Sequence, residues 1–292
     1  MTVDALLVVA RFLHFASCIM LFGAGAFCLA LPSSQETLCR VAHPVCVLLR
    51  CCALAALFSA LLWFFSVAAS MTGDWRVVAN TSALRTVLFE TQFGRVWQWR
   101  GLIAAALVIA AFRNTPVANR ITVGLSFLLL ETLALTGHAA MGLGLFGRLH
   151  QLTDALHLVA GGFWIGGLVL LMLLLRAPPH RELLHRSLLR FSALGVFAVV
   201  LVVATGALNA LFIVPDWGHF LGSAYRRTLL AKVMLVAAMI LLAVVNRMLL
   251  TPRIGNSAQA LADLRRNVLM ETAVGTLVVL AASLLGTLPP SG

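Results

Sequence analysis

Long apolar runs, separated by short charged or Pro/Gly-rich breaks, dominate this chain. Because about 20 apolar residues are needed to cross the hydrocarbon core of a bilayer, the runs predict eight transmembrane helices. Their predicted ranges are 5–30, 45–70, 100–112, 120–142, 152–175, 191–213, 228–250 and 267–288. The connections are too short for a soluble domain. Residues 1–292 are therefore predicted to form a single integral-membrane domain, an all-α, polytopic membrane helix bundle.

The one long connection, residues 71–99, carries a different pattern. Its segment NTSALRTVLFETQFGRVWQWR begins with Asn80, a residue type that caps helices. The pattern predicts an amphipathic helix on the outer, periplasmic surface between the second and third spans, with Trp97 and Trp99 as anchors at the membrane interface. The apolar face of this predicted helix consists of Leu84, Val87, Leu88 and Phe93.

The composition supports a membrane protein. Mean hydropathy is +1.01, 61% of the residues are hydrophobic and only 11% are charged, which lies outside the range of soluble domains. The net charge of +11 comes from 21 basic residues that lie almost entirely at the ends of apolar runs. The positive-inside rule explains that placement, so no nucleic-acid partner is expected.

The distribution of basic residues also predicts an orientation. With the N-terminus outside, the loops that fall inside carry twelve of the 21 Lys and Arg residues, and the bias is strongest in the second half of the chain. We therefore expect both termini to be periplasmic.

Common catalytic motifs are missing from the sequence. It contains no Walker-type phosphate loop, no G-x-S-x-G and no H-E-x-x-H. ATP-driven transport and hydrolysis are therefore not supported, and the chain is not expected to be an enzyme.

The fifth apolar run carries a stripe of polar and small residues at helical spacing. His150, Asp154, His157, Gly161 and Trp164 recur at steps of four, three, four and three, so they share one helix face. A histidine with a carboxylate one turn away suits a metal site, because the carboxylate orients the imidazole. The prediction makes His157 a metal ligand and Asp154 its supporting partner. The alternative is a polar cap at the outer leaflet, which is the interpretation favoured for His150, placed in the loop as a rim residue.

The fourth run places ionisable groups inside the membrane. Glu131 and His138 are seven residues apart on one face, and Met141 follows about one turn later. At mid-membrane a charged group costs at least about 2.5 to 3.5 kcal/mol, so Glu131 is expected to face the bundle interior. It is either a proton carrier or pathway ligand, or a salt-bridge partner of a base such as Lys232.

The first run offers a second candidate ligand pair. His14 and Cys18 are one turn apart, and their imidazole and thiolate are both good ligands for copper, with sulfur favouring Cu(I). Cysteine is also a common packing residue in apolar helices, and that alternative stays open.

Several segments of the chain are distinctive: ARFLHF with LFGAGAF, LTGHAA, DALHLVAGGFWIGGL, TGALNA and YRRTLLAKVMLVAAMILLAVVNR. Together they resemble the copper resistance protein D (CopD) family of bacterial inner-membrane proteins, over nearly the whole chain. The resemblance implies an eight-helix inner-membrane protein that acts with periplasmic copper-binding partners of the CopC type in copper uptake or handling. It makes His14, His138 and His157 the best ligand candidates, supported by Asp154 and Trp164.

The leading functional hypothesis is a membrane protein that binds copper at an outer histidine cluster and moves it inward along the first, fourth and fifth spans. A different class remains possible: histidines on separate helices can also hold haem b in a membrane cytochrome that transfers electrons. A third hypothesis is a scaffold that recruits periplasmic copper proteins without conducting the metal.

Overall fold

The computed structural model describes residues 3–31, 35–113, 120–137, 142, 144–176, 181–214, 222–254 and 258–289. Within these ranges the chain is helical, without strands. This confirms the prediction of an all-α, polytopic membrane bundle. Its α-helices are α1 (Val3–Ala30), α2 (Gln35–Thr72), α3 (Thr81–Glu90), α4 (Gln92–Phe112), α5 (Arg120–Glu131), α6 (Gly144–Arg176), α7 (Arg181–Ile213), α8 (Ala224–Val245) and α9 (Ala258–Leu285).

In the described part of the chain, seven helices are long and apolar enough to cross a membrane: α1, α2, α4, α6, α7, α8 with its continuation to Arg253, and α9. Several begin well before their apolar runs; α7 begins at Arg181, for example, and not near residue 191. The apolar run marks only the part of a helix in hydrocarbon. The backbone hydrogen-bond ladder continues through polar residues into the interface.

The predicted fourth span is shorter than expected. Instead of a continuous helix over 120–142, α5 ends at Glu131, after 12 residues. The chain then continues in tighter turns, in which the N–H groups of Leu133, Ala134 and Thr136 bond three residues back. The backbone carbonyl of Thr132 accepts from Arg100 of α4. A hydrophobic pattern cannot predict this hydrogen bond, because it joins a backbone carbonyl to a side chain 32 residues away in the sequence.

The long connection contains the predicted surface helix in shortened form. A 3-10 helix (Trp75–Ala79) leads to α3, whose first turn is capped by the side chain of Asn80. Val87 is buried, as the apolar face requires. The helix ends at Glu90, and Thr91 caps α4, so Trp97 belongs to a membrane span. The prediction that Trp97 anchors the chain at the interface is wrong, because Trp97 is buried and donates to the carbonyl of Ala60.

Helix α1 lies in the middle of the bundle and packs against α2, α5, α6 and α9. Its closest crossing is with α6, where Gly23 meets Gly162 and Gly166. A Cβ at Gly23 or Gly166 would overlap the backbone of the other helix. Small residues that let two backbones touch are a standard means of packing membrane helices.

Helices α7 and α8 form the opposite wall of the bundle. Helix α7 packs on α6, and α8 packs on α9, which leaves a cleft between α7 and α8. Their outer faces present large apolar side chains to lipid; Phe197 is 70% and Leu241 is 65% exposed. The floor of the cleft is formed by α6 and α9.

Candidate functional site

Three cavities follow one another along the cleft between α7 and α8. The first has a volume of about 170 Å³ and lies beside the first turns of α6. The second, of about 90 Å³, shares His157 and Lys232 with the first. The third, of about 160 Å³, shares Trp164 with the second. We call them the His157 cavity, the middle cavity and the Glu271 cavity.

The first part of α1 and the end of α9 lie together at the His157 cavity. Arg11 near the start of α1 and Gly286 just after α9 line it together with His150, and Arg11 Nε donates to the carbonyl of Ser283 in the last turn of α9. Gly137, which follows α5, lines it as well. Helix α5 therefore runs toward the same end as α9, although it is too short to count among the seven long spans.

The predicted polar stripe on α6 lies where the pattern placed it. His150, Asp154 and His157 line the His157 cavity, and His157, Gly161 and Trp164 line the middle cavity. One face of α6 therefore follows the cleft through two cavities. The shared face is confirmed; the metal-binding role assigned to it stays a prediction.

His157 is held by α7. Its Nδ1 lies 3.0 Å from the hydroxyl oxygen of Thr205, and that hydroxyl donates to the backbone carbonyl of Leu201. The Thr205 oxygen therefore accepts from Nδ1–H, which assigns the tautomer and leaves Nε2 as the nitrogen with a lone pair. Gly206 makes room for the ring, because a Cβ there would press on the imidazole.

Asp154 has a different partner from the one predicted. Its carboxylate accepts from the side-chain amide of Asn209 on α7 at 3.3 Å, and it interacts electrostatically with Lys232 of α8. His157 is thus held by Thr205 and the backbone of Val202, whereas Asp154 provides negative charge to the same cavity.

His150 lies in α6, and the prediction that it is a loop residue is wrong. It is only 7% exposed, and its ring stacks on Phe212 of α7 with centroids 5.1 Å apart. The helix begins at Gly144, eight residues before the apolar run that the sequence pattern identifies.

Glu131 ends α5 with one carboxylate oxygen turned inward. Its Oε1 is buried and has no hydrogen-bond partner, and the carboxylate interacts electrostatically with Asp154. Lys232, the base considered as its salt-bridge partner, interacts with Asp154.

His14 lies on another side of α1, against α2. Its Nδ1 is 3.1 Å from both the carbonyl of Ala56 and the hydroxyl of Ser59. Since a carbonyl only accepts, Nδ1 carries the proton, and the lone pair is on Nε2, which is buried without a partner. The ring meets the face of Trp63 edge-on. Cys18, one turn away, is fully buried.

A buried arginine that the sequence pattern did not identify lies close to His14 and Cys18. Arg100 of α4 is fully buried. Its guanidinium lies over the rings of Trp97 and Trp63, at 4.1 and 5.0 Å from their centroids. It donates to the hydroxyls of Thr132 and Thr136, and it interacts electrostatically with His14 and Cys18. This cation repels any further positive charge in the region, including a metal ion.

The Glu271 cavity contains a hydrogen-bonded network of its own. Trp164 Nε1 donates to one oxygen of Glu271 at 2.9 Å, and the side-chain amide of Asn246 donates to the other at 2.9 Å. Asn267 in turn donates to Asn246. Trp164, predicted to support the metal ligands, is thereby tied to a carboxylate of α9.

The predicted ligands do not all meet in the described part of the chain. There, no three His, Cys, Asp or Glu side chains converge in a way that could hold a metal ion. His14 contacts α2, whereas His157 contacts α7. His138 and Met141 lie outside the described residues; Gly137, which directly precedes His138 in the sequence, lines the His157 cavity.

Taken together, fold and site define a multi-pass helical membrane protein with ionisable residues along an internal cleft. Two family models match the chain: "Copper resistance protein D-like, N-terminal domain" over residues 1–148 and "Copper resistance protein D" over residues 185–285. The chain belongs to the copper resistance protein D family, and it is a copper-related membrane protein.

Characterised relatives support this assignment. The chain is 33% identical to the inner membrane protein YebZ of Escherichia coli, over 96% of its own length and 97% of the relative's. It is 32% identical to the copper resistance protein D of Pseudomonas syringae, over 98% and 97% of the two chains. A copper transport protein of Bacillus subtilis, CutJ, is 32% identical over 76% of this chain and 41% of its own. No solved structure matches the chain.

Proposed function

We propose that this protein binds copper in the His157 cavity and moves it from the periplasm across the inner membrane. The observation that carries the proposal is the state of His157: Thr205 accepts from Nδ1–H, so Nε2 is available as a ligand on a helix face that follows the cleft. Two relatives are named for copper resistance and copper transport.

The lining of the cavity carries charges of both signs. Arg11 and Lys232 line it, and so does Asp154. Glu131 does not line the cavity, but its carboxylate interacts with Asp154 and has a buried oxygen without a partner. A bound copper ion would relieve the repulsion between the two carboxylates, as an opposite charge does for any buried anion.

The proposal includes two further ligands because they follow Gly137 closely in the sequence. Gly137 lines the cavity, so the proposal assigns His138 and Met141 to copper entering or bound there. Imidazole and thioether are both copper ligands. We assign His14 and Cys18 to a second copper position, in which imidazole and thiol would be the ligands against the repulsion of the neighbouring Arg100 cation.

The size of the cavities favours an ion over haem. Pockets that hold drug-sized molecules occupy about 300 to 1,000 Å³, and the His157 cavity is about 170 Å³. A copper ion with its ligands fits this volume.

The proposed orientation places the His157 cavity at the periplasmic face. Arg11 near the start of α1 and Gly286 after α9 line this cavity, so both termini are periplasmic in the proposal. Copper would then be delivered by a soluble periplasmic copper-binding protein of the CopC type.

Copper binding by the purified protein tests the first half of the proposal. Full-length protein in mild detergent is titrated with Cu(I) under reducing conditions and with Cu(II), for wild type, His157→Ala, His138→Ala and the double variant. The matched control is His185→Ala, which removes an exposed histidine of α7. We expect the double variant to lose stoichiometric binding and H185A to retain it. Full binding by the folded double variant would overturn the site.

A further inference from the structure

The carboxylate of Glu271 lies at the division between two cavities of the cleft. Glu271 is 1% exposed and lies on α9 about one turn inside the predicted apolar run 267–288. It lines the Glu271 cavity, and its bonding partner Trp164 lines that cavity and the middle cavity. Trp164 therefore borders both spaces, and Glu271 accepts from its indole N–H.

The hydrogen bonds of this carboxylate come from neutral donors. One oxygen accepts from Trp164 Nε1 and the other from the side-chain amide of Asn246. Asn246 begins a π-helical turn, Asn246–Leu250, that interrupts the end of α8; such turns are frequent at functional sites. A carboxylate buried in a membrane without an ion pair is costly, and binding a proton removes the charge.

The charged and titratable groups that face Glu271 are few. From α8 and its continuation, Arg247 lines the same cavity, and its Nη1 donates to the carbonyl and hydroxyl of Ser192 on α7. The groups from the other helices are neutral: Trp164 of α6 donates to Glu271, and Asn267 of α9 donates to Asn246. Lys232 of α8 lies beyond the indole, in the middle cavity.

We propose that Glu271 is a proton-binding site that couples proton binding to the movement of Trp164 between the middle cavity and the Glu271 cavity. A carboxylate holds the indole N–H by a charge-assisted hydrogen bond, which is about twice as strong as a neutral one. Protonation from water in the Glu271 cavity neutralises the acceptor and weakens this bond, so the indole is released. Deprotonation restores it. The inference deepens the proposed function, on which its coupling to copper rests, by naming the proton as the coupling ion.

The first test needs no copper. Wild type and Glu271→Gln in lipid nanodiscs are compared by infrared difference spectroscopy across a pH titration, with Glu182→Gln on the exposed start of α7 as the matched control. We expect wild type and E182Q to show a band of a buried protonated carboxyl that E271Q lacks. Identical pH difference spectra for folded wild type and E271Q would overturn the proposal.

A second measurement covers the case in which E271Q does not fold. Tryptophan emission of wild type is recorded against pH and compared with that of Trp164→Phe, which keeps an aromatic ring and removes the donor. We expect a pH-dependent change that W164F lacks. The same pH dependence in both proteins would also overturn the proposal.

Transport separates this inference from the proposed function. Copper uptake into proteoliposomes is measured with and without an imposed pH gradient. Wild type and E182Q should respond to the gradient by about fivefold or more, the lower end of typical coupling energies, and E271Q should not respond. Uptake that ignores the gradient in wild type contradicts proton coupling and leaves copper transport intact. Absence of copper binding and uptake in all proteins, with the carboxyl band present, contradicts the copper function and leaves the proton site intact.

Discussion

His157 Nδ1 and the hydroxyl of Thr205 are hydrogen bonded at 3.0 Å across the α6–α7 interface. The Thr205 hydroxyl donates to the backbone carbonyl of Leu201 on α7, so its oxygen accepts from His157. The hydroxyl of Thr205 and the backbone of Val202 therefore hold the imidazole together. This arrangement corresponds to the outer-shell partner that metal-ligating histidines generally have.

Thr205→Val tests this role. Valine has nearly the same shape as threonine but has no acceptor, so the imidazole loses one of the two partners that hold it. We expect the copper Kd to rise by about 10- to 100-fold, as is usual for the loss of such a partner. Thr205→Ser, which keeps the hydroxyl, is the matched control. Equal copper affinities of T205V and wild type in a competition titration with a chromogenic chelator would exclude Thr205 from the site.

Gly166→Ala tests the crossing of α1 and α6. The added Cβ would overlap the carbonyl of Ile19 and the Cα of Gly23, so the helices must separate. We expect the free energy of unfolding to fall by about 1 to 3 kcal/mol, typical of overpacking, measured by thermal unfolding in detergent. Gly101→Ala is the control, because nothing lies within 4 Å of its new Cβ. A G166A protein as stable as G101A would contradict the close contact.

Arg100→Lys tests the buried guanidinium. Lysine keeps the charge but cannot form the planar fork that donates to Thr132 and Thr136 while lying over Trp97. We expect a loss of stability of about 1.5 to 3 kcal/mol, the range for hydrogen bonds to charged groups. Arg85→Lys on exposed α3 is the control and should leave the unfolding midpoint unchanged. Equal midpoints for R100K and R85K would show that the fork does not contribute.

The visible spectrum of the purified protein separates an ion site from a haem site. A cavity of about 170 Å³ is below the roughly 300 Å³ at which pockets begin to hold drug-sized molecules. We therefore expect no Soret band and no sharp reduced α-band in protein purified from cells supplied with haem precursor. A stoichiometric Soret band lost in His157→Ala would replace the copper proposal with a membrane cytochrome.

The periodicity of the sequence predicts those features that depend on one helix at a time. The long apolar runs identify the spans, and the helical spacing of His150, Asp154, His157, Gly161 and Trp164 identifies the face of α6 that follows the cleft. Such features need only the rise and turn of an ideal helix. The position of the helix ends is less predictable, because the start of α6 at Gly144 lies in polar residues.

Features that depend on two helices meeting are not visible in a periodic pattern. Thr205 lies 48 residues from His157, and its hydroxyl in an apolar run resembles any threonine of a membrane helix. Arg100 donates to the carbonyl of Thr132, 32 residues away, directly after the end of α5. A glutamate in an apolar run is easily interpreted as one half of a structural salt bridge. Only the fold shows that the hydrogen bonds of Glu271 come from neutral donors.

Copper uptake into proteoliposomes measures the central claim most directly. Wild type, His157→Ala and the exposed control His185→Ala are reconstituted at equal density with the His157 cavity facing the side to which copper is added, and metal inside the vesicles is counted over time. The account predicts uptake by wild type and H185A, and uptake by H157A at the level of protein-free vesicles. Equal uptake by H157A and wild type would contradict it.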